Sequence, residues 1–295
     1  MLIKTEGGSY IVIGKKEFNS MNNLLNQKLK DKGILIAVHR GSPGGNIIEN
    51  TIPAYKAAIQ QNGDILEIDV IKSTDGAFFT FHDGQEKRLL NENDNIKTMS
   101  STKIEGLTYL NAIGHKTSYK VERLEDVLEV FKGDVLINID RAWDVWPELL
   151  PKLDQHDMVN QIILKGPVVK EQLEILNSYK TKYMFMPIIH SLNEIDIVLG
   201  YQNINLIGME LIADSEQHPL FQDEVISRIK NNDLFVWANA INLDDDIILF
   251  AKFDDNTSII HNPDLGWGRL FDKKVDIIQT DWPAILTDYR NHKIQ

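Results

Sequence analysis

The chain contains no cysteine. Disulfides, zinc–thiolate centres and thiol nucleophiles are therefore excluded. No apolar run approaches the roughly 18 residues of a membrane span, so stable membrane insertion is not expected. There is no basic excess either. The net charge of −12 argues against a nucleic-acid partner, because neutralising phosphates takes a surplus of Lys and Arg, and it disfavours an anionic membrane surface. A small phosphate substrate is compatible with that charge, since its binding depends on local groups and metal. The chain has no linker rich in Pro, Gly or Ser and no G-x-G-x-x-G, so a doubly wound dinucleotide-binding sheet has no support. Residues Met1 to Gly14, with Gly-Gly and the alternating Tyr10-Ile11-Val12-Ile13, lack the basic-then-apolar layout of a leader. As it stands the chain is expected in the cytoplasm; an exported form would require a leader already removed.

What is present is a repeated strand-then-helix unit. Short apolar or β-branched runs occur at Ile34–Val38, Ile65–Val70, Val135–Ile139, Ile162–Leu164, Tyr183–Pro187, Leu206–Met209, Leu234–Ala238 and Val275–Gln279. Helical spacing lies between most of them, at Thr51–Gln60, Leu124–Phe131, Val145–Leu153, Val169–Ser178, Leu192–Leu199, Gln222–Lys230 and Leu243–Phe250. Eight such units over about 250 residues predict an α/β fold of the (β/α)8 TIM-barrel type. Residues 34–295 form the barrel on this reading, and 1–33 an N-terminal extension, a hairpin and a helix, packed on its end. A further run, Ala77–Phe81, follows the second strand after only Ser73-Thr74-Asp75-Gly76. Asp-Gly between two strand-like runs signals a hairpin, and a turn centred on Asp75 and Gly76 sets His82 opposite Asp69. An insertion of about 77–120 follows, whose part Asp83–Lys120 reads as too short and polar to hold much core of its own.

In such barrels the site lies at the C-terminal ends of the strands. Those ends carry His39, Arg40, Glu67, Asp69, Asn138, Asp140, Lys165, Glu210, Trp237 and Asp281. Glu67 and Asp69 are two apart and leave the same strand face. Two carboxylates on an apolar strand are costly to bury without a cation, and a hard cation such as Mg²⁺ or Ca²⁺ is the simplest relief. His39 and His82 are suited to exchanging protons near neutrality, and Arg40 to gripping phosphate oxygens in a fork. Together these groups point to acid–base catalysis of phosphoryl transfer. His190, just past the fifth strand, is a weaker candidate, and the remaining histidines read as surface or loop residues. Trp143, Trp146 and Trp267 read as buried packing.

His39-Arg40-Gly41, Glu49-Asn50-Thr51, the spaced Ala54 and Ala57, Glu67-Ile68-Asp69-Val70, Asp75-Gly76 and His82-Asp83 resemble, in order and spacing, the core pattern of the glycerophosphodiester phosphodiesterase family. Val236-Trp237-Ala238-Asn239 is similar to its late Trp-x-x-Asn, and Thr280-Asp281-Trp282-Pro283 to its terminal Thr-Asp-x-Pro. The likeness runs from about residue 34 to 290. It implies a (β/α)8 barrel that hydrolyses glycerophosphodiesters to an alcohol and glycerol 3-phosphate with a divalent cation. Carried over, it makes Glu67 and Asp69 metal ligands, His39 and His82 the acid–base pair, and Arg40 a phosphate clamp. Which histidine takes which role is left open.

One strand departs from the pattern. Where the family usually has Glu-x-Lys at the end of the third barrel strand, this chain has Asn138-Ile139-Asp140. Asp140 is the candidate for the missing carboxylate, with Asn138 a weaker oxygen donor. Lys165, or secondarily Arg141, is the candidate for the missing cation, although a lysine at a strand end equally suits a snorkelling surface position. Glu210 and Trp237 are candidate substrate contacts, Glu210 for a polar group or a neighbouring cation and Trp237 as an apolar wall. Asp281 reads best as a helix cap before Pro283. Cleavage of an intact lipid by the same site is an alternative, but the solvated Glu92, Asn93, Asp94, Asn95 and Lys97 favour a water-soluble substrate. A non-catalytic phosphate-binding barrel is the alternative outside catalysis, and the presence of both histidines, Arg40, Glu67 and Asp69 speaks against it.

Overall fold

A computed structural model describes residues 12–244 and 246–294. Eight parallel strands close into a barrel: β1 (Leu35–Val38), β2 (Ile65–Lys72), β4 (Leu136–Asp140), β5 (Ile162–Pro167), β6 (Met184–Ile189), β7 (Gly208–Leu211), β8 (Phe235–Asn239) and β9 (Ile277–Thr280). Pairing runs β1-β9-β8-β7-β6-β5-β4-β2, and β1 pairs with β2 to complete the ring. The ninth strand, β3 (Phe78–Thr80), returns antiparallel on β2 outside the ring. Seven of the eight barrel strands fall within a residue or two of the runs expected from sequence; β5 continues three residues beyond Leu164, to Pro167.

Both faces of each barrel strand are buried, which explains their nearly continuous apolar runs. Outward residues such as Ile36, Val38, Ile68, Ile139, Leu164, Val236 and Ile278 pack with Tyr55, Leu149, Leu173, Ile226 and Leu286 of the surrounding helices. Inward residues Leu35, Ala37, Ile65, Leu136, Ile163, Met184, Phe235, Trp237 and Ile277 fill the barrel with Ile13 and Leu25. Leu25 comes from the helix Asn19–Lys32, where Asn22 and Asn205 exchange two amide hydrogen bonds. The hairpin expected before this helix falls mainly on residues 1–11, outside the described residues. Among the described residues, no helix is long and apolar enough to cross a membrane.

Three expectations need correction. First, the hairpin pairs Val70 with Thr80 and Ile71 with Phe79, and the Ser73 amide donates to the Ala77 carbonyl. The loop is therefore Thr74-Asp75-Gly76, with Gly76 at φ +88°, a three-residue turn that ends on a left-handed glycine. The register slips by one: Phe81 bonds Asp69, and His82 lies one step beyond. Second, the described residues of 243–250 form no helix. The Asp244 carboxylate accepts the amides of Asp246 and Ile247, a local alternative to helical hydrogen bonding. The next helical turns are at Thr257–His261 and Trp267–Asp272. Third, the excursion after β3 does have a core: Phe79, Phe81, Leu89, Leu90, Ile96, Met99, Ile104 and Tyr109 gather with Ile48 and Ile71. Its apolar residues follow no single period, so their convergence is not visible along the chain.

The seam where the ring closes is short, with Ala37 opposite Ile65 and Val38 opposite Leu66. Asp64 reinforces it. Its carboxylate accepts the Ile36 amide and pairs with Arg290 at 2.6 Å and Lys32 at 3.1 Å. Arg290 also donates to the Ile34 carbonyl, which ties the helix Pro283–Ile294 to β1. Removing Arg290 leaves the buried Asp64 with only the half-exposed Lys32 as counter-charge. Arg290→Met is therefore expected to lower stability by about 3 kcal/mol, read as a fall in the urea midpoint at unchanged slope. An unchanged midpoint would show that the seam does not depend on this pair.

Candidate active site

The inward positions become polar toward the C-terminal ends of the strands. Leu35 and Ala37 give way to His39, Ile65 to Glu67 and Asp69, Leu136 to Asn138 and Asp140, Ile163 to Lys165, and Ile277 to Gln279. In register, Glu67 stands beside Asn138 and Asp69 beside Asp140. Oxygens of Glu67, Asp69 and Asp140 lie within 4.8 Å of one another, a hard-oxygen donor set suited to a divalent cation.

The three carboxylates differ in environment. Glu67 is buried beside Asp69, and burial first, then the Asp69 charge, pushes its pKa up to about 8. Burial and the Asp69 charge disfavour its ionised form more than the nearby His39 and Lys165 favour it, and a cation bound among the three carboxylates would offset both. Asp69 is equally buried, yet Arg40, His82, His39 and the Asn50 amide outweigh that burial and hold its pKa below the usual value. Asp140 lies against the Lys165 ammonium at 2.6 Å.

Local backbone geometry delivers these contacts. Arg40 has φ +55°, a rarely used conformation for a non-glycine residue. It directs the Arg40 amide to Glu67 at 3.0 Å. The guanidinium faces Asp69 through Nε at 2.9 Å and Glu49 through Nη1 at 3.0 Å. Gly41 follows at φ +78°, where a Cβ would lie 2.7 Å from the Ala54 backbone; only glycine fits. Asn50, also left-handed, donates to the Asp69 carboxylate and accepts from the Asp69 amide and the Tyr55 hydroxyl. Asn50 belongs to the Glu49-Asn50-Thr51 motif, but nothing in its spacing points to this contact.

Both histidines engage a partner through Nδ1. His39 Nδ1 lies 2.9 Å from Asp281 Oδ1, and His82 Nδ1 lies 2.7 Å from the Asp83 carbonyl. Burial opposes a proton on His39, but the Asp281 hydrogen bond and the Glu67 charge prevail and its pKa is raised. For His82, burial together with Arg40 and Arg141 outweighs Asp69, and the pKa is lowered. Arg141 itself is paired with Asp83 at 2.9 Å. The reading of Asp281 as a helix cap is corrected: the Thr280 hydroxyl takes the Trp282 amide, while the Asp281 side chain turns to His39.

Lys165 is only 4% exposed, so it is not a snorkelling surface lysine. Its ammonium lies between Asp140 and Glu210, the latter at 3.2 Å. These acids and Glu67 outweigh burial and raise its pKa well above the usual lysine range. Glu210 also accepts from Asn239, which accepts from the Trp237 indole. Trp237 does not line the mouth. It pairs with Glu210 and Ile277 and is wholly buried in the inner cluster, one step below the rim residues Asn239 and Gln279. Trp237 and Asn239 are two residues apart, one fewer than in Trp-x-x-Asn, and therefore share a face. Asn138 donates to the Ile163 carbonyl, while its Oδ1 has no hydrogen-bond partner. His190 is exposed, and its amide donates to Glu194. Trp146 and Trp267 are buried in the outer core, and Trp143 packs against it.

A family model described as the glycerophosphoryl diester phosphodiesterase family matches residues 39–187, and one described as a domain of unknown function matches 185–290. The glycerophosphodiester phosphodiesterase of Caldanaerobacter subterraneus subsp. tengcongensis is 33% identical over 110 residues, covering 36% of this chain and 44% of that protein. The chain thus aligns with less than half of that relative's length. The lysophospholipase D of Mus musculus is 22% identical over 306 residues, 91% of this chain and 90% of that protein. Among solved structures, a glycerophosphoryl diester phosphodiesterase from Parabacteroides distasonis superposes with a TM-score of 0.70 at 15% identity, covering 88% of this chain and 87% of that one. An Oleispira antarctica phosphodiesterase, in complex with the product sn-glycerol-3-phosphate, gives 0.63 at 16% identity over 86% and 95%. These two likenesses speak to the shared barrel. The family model covers half of the chain, including the strands that carry Glu67, Asp69, Asp140 and Lys165, and the chain belongs to the glycerophosphoryl diester phosphodiesterase family.

Proposed function

We propose that this chain hydrolyses a glycerophosphodiester to an alcohol and glycerol 3-phosphate, with a divalent cation, Mg²⁺ or Ca²⁺, held by Glu67, Asp69 and Asp140. The observation that carries this reading is the convergence of those three carboxylates beside two histidines whose Nδ1 atoms are already engaged. The cation, when bound, polarises the phosphoryl oxygens and acidifies the attacking hydroxyl or water. His39 and His82 exchange the protons of attack and departure through Nε2. Arg40 has Nε and Nη1 turned to acids and offers its remaining donors to phosphate. Lys165, between Asp140 and Glu210, supplies from β5 the positive charge that the family usually carries on the preceding barrel strand.

The test is release of glycerol 3-phosphate from glycerophosphodiesters with Mg²⁺, Ca²⁺ or chelator. Turnover is expected with metal and not with chelator. His39→Ala and His82→Ala are each expected to lower kcat by about 10²–10⁴-fold. Turnover that survives chelation or either substitution would overturn the mechanism, and phosphate binding without turnover would favour a non-catalytic barrel.

A second reading, an amphiphilic lysophospholipid substrate, is favoured by the rim. The loops after β8 and β9 and the excursion after β3, the strand paired to β2, flank β1 on the barrel. They expose Ile113 (75%), Ile260 (69%), Leu265 (57%), Trp282 (51%) and Leu243 (51%). Ile113 lies in the turn between the paired Leu110 and Lys116, so the excursion is less uniformly polar than its sequence implies. The mouse relative named as a lysophospholipase D supports the same direction. On this reading Ile260→Ser and Leu265→Ser each lower kcat/KM for lysophosphatidylcholine by about tenfold, the scale of burying one apolar side chain, and leave glycerophosphocholine hydrolysis unchanged. Equal effects on both substrates would remove it.

A further inference from the structure

We propose that Asp281 is a positioning residue for His39. Its carboxylate holds the imidazole with the proton on Nδ1, turns Nε2 toward the carboxylate cluster, and stabilises the imidazolium formed whenever His39 carries the transferred proton. This role rests on the phosphodiesterase reading for its catalytic consequence, but the geometry stands by itself.

The contact is 2.9 Å from Nδ1 to Oδ1. An ionised carboxylate only accepts, so Nδ1 is the donor and Nε2 is the nitrogen available to the reaction. His82 differs in one respect. Its Nδ1 faces a neutral backbone carbonyl, which fixes the same tautomer without adding charge. Only His39 has a charged partner behind its ring. The groups facing it are Asp281 from the end of β9, Glu67 and Asp69 from β2, and Arg40 beside it in the chain.

The Asp281 carboxylate has no capping duty to explain its placement, since Thr280 Oγ1 accepts the Trp282 amide. Instead the turn that presents it is built from below. Asp255 is 2% exposed and accepts three hydrogen bonds, from the Asp281 amide at 2.9 Å, the Thr280 hydroxyl at 2.8 Å and the Trp267 indole at 2.8 Å. No ion pair accompanies this carboxylate among the described residues. A buried acid spent on one turn is costly unless that turn must be held. What the turn presents is the side chain that meets His39.

Asp281→Asn keeps size and shape at a half-exposed position, so folding is expected to persist, and a matching thermal midpoint checks it. The substitution is expected to lower kcat by about 10²–10⁴-fold with KM little changed. It is also expected to move the limb of the pH–rate profile that belongs to His39 to lower pH. Asp281→Glu, which retains the charge, is expected to recover part of the rate. Histidine NMR supplies a readout that needs no turnover: the His39 titration midpoint falls in Asp281→Asn, while that of His82 stays. An unmoved His39 midpoint in folded Asp281→Asn overturns the proposal. If the parent chain cleaves no diester at all, the functional reading fails, and the His39 titration still decides the role of Asp281 in holding that imidazole.

Discussion

The structure depends on burying acids inside a closed barrel. Glu67, Asp69, Asp140 and Glu210 all point inward at the C-terminal half of the strands, and Arg40 and Lys165 are the cations set directly against them. Four carboxylates against two cations leave an excess of negative charge in a poorly solvated space. Glu67 is the one acid of the three-carboxylate cluster with no ion pair among the described contacts, and burial first, then the Asp69 charge, raises its pKa. A divalent cation is the size of charge that relieves this. The apolar lower half of the barrel, from Leu35 to Ile277, supplies the stability against which such a layer is maintained.

The altered barrel strand shows how that layer tolerates rewiring. The Asp140 carboxylate reaches the cluster because Asp140 stands beside Asp69 in register. With an acid at that position, a cation has to come from elsewhere. Lys165 sits on the neighbouring β5, and its chain spans to Asp140 and Glu210 together. Asn138 remains inward, beside Glu67, as a neutral oxygen donor. Charge is thus conserved across two strands rather than within one, which alters the direction from which the phosphate would meet a positive group. On the proposed mechanism, substrate choice is more exposed to this change than proton transfer, because His39 and His82 stand on other elements.

Much of this was legible in the sequence for a specific reason. Strands buried on both faces read as unbroken apolar runs, and period-two parity then assigns each polar strand-end residue a direction. That logic identified Glu67, Asp69, Asp140 and Lys165 as inward. It failed where depth along the strand mattered, as for Trp237, which shares the inward face yet stops one step short of the rim. It also failed where side chains override local pattern. Asp244 dissolves an apparently amphipathic helix, Gly76 lengthens a hairpin loop by one residue and shifts its register, and the apolar residues of the excursion meet only in three dimensions. Asp281 had the signature of a cap, and only the position of the Thr280 hydroxyl, fixed by Asp255 some 25 residues earlier in the chain, frees it for another task.

The same long-range connection explains why the loop after β8 bears on chemistry it does not touch. Asp255 belongs to that loop, holds the end of β9, and so determines where Asp281 meets the ring on β1. The loop's other side carries the exposed Ile260 and Leu265. Three neighbouring strands, β8, β9 and β1, therefore bring an apolar rim, a buried carboxylate and a histidine together. The opposite half of the mouth, over β4, β5 and β7, carries the rewired charges. On the proposed lysophospholipid reading, a substrate lying across the barrel would meet hydrophobic contact on one side and charge on the other, with the carboxylate cluster of β2 and β4 between them.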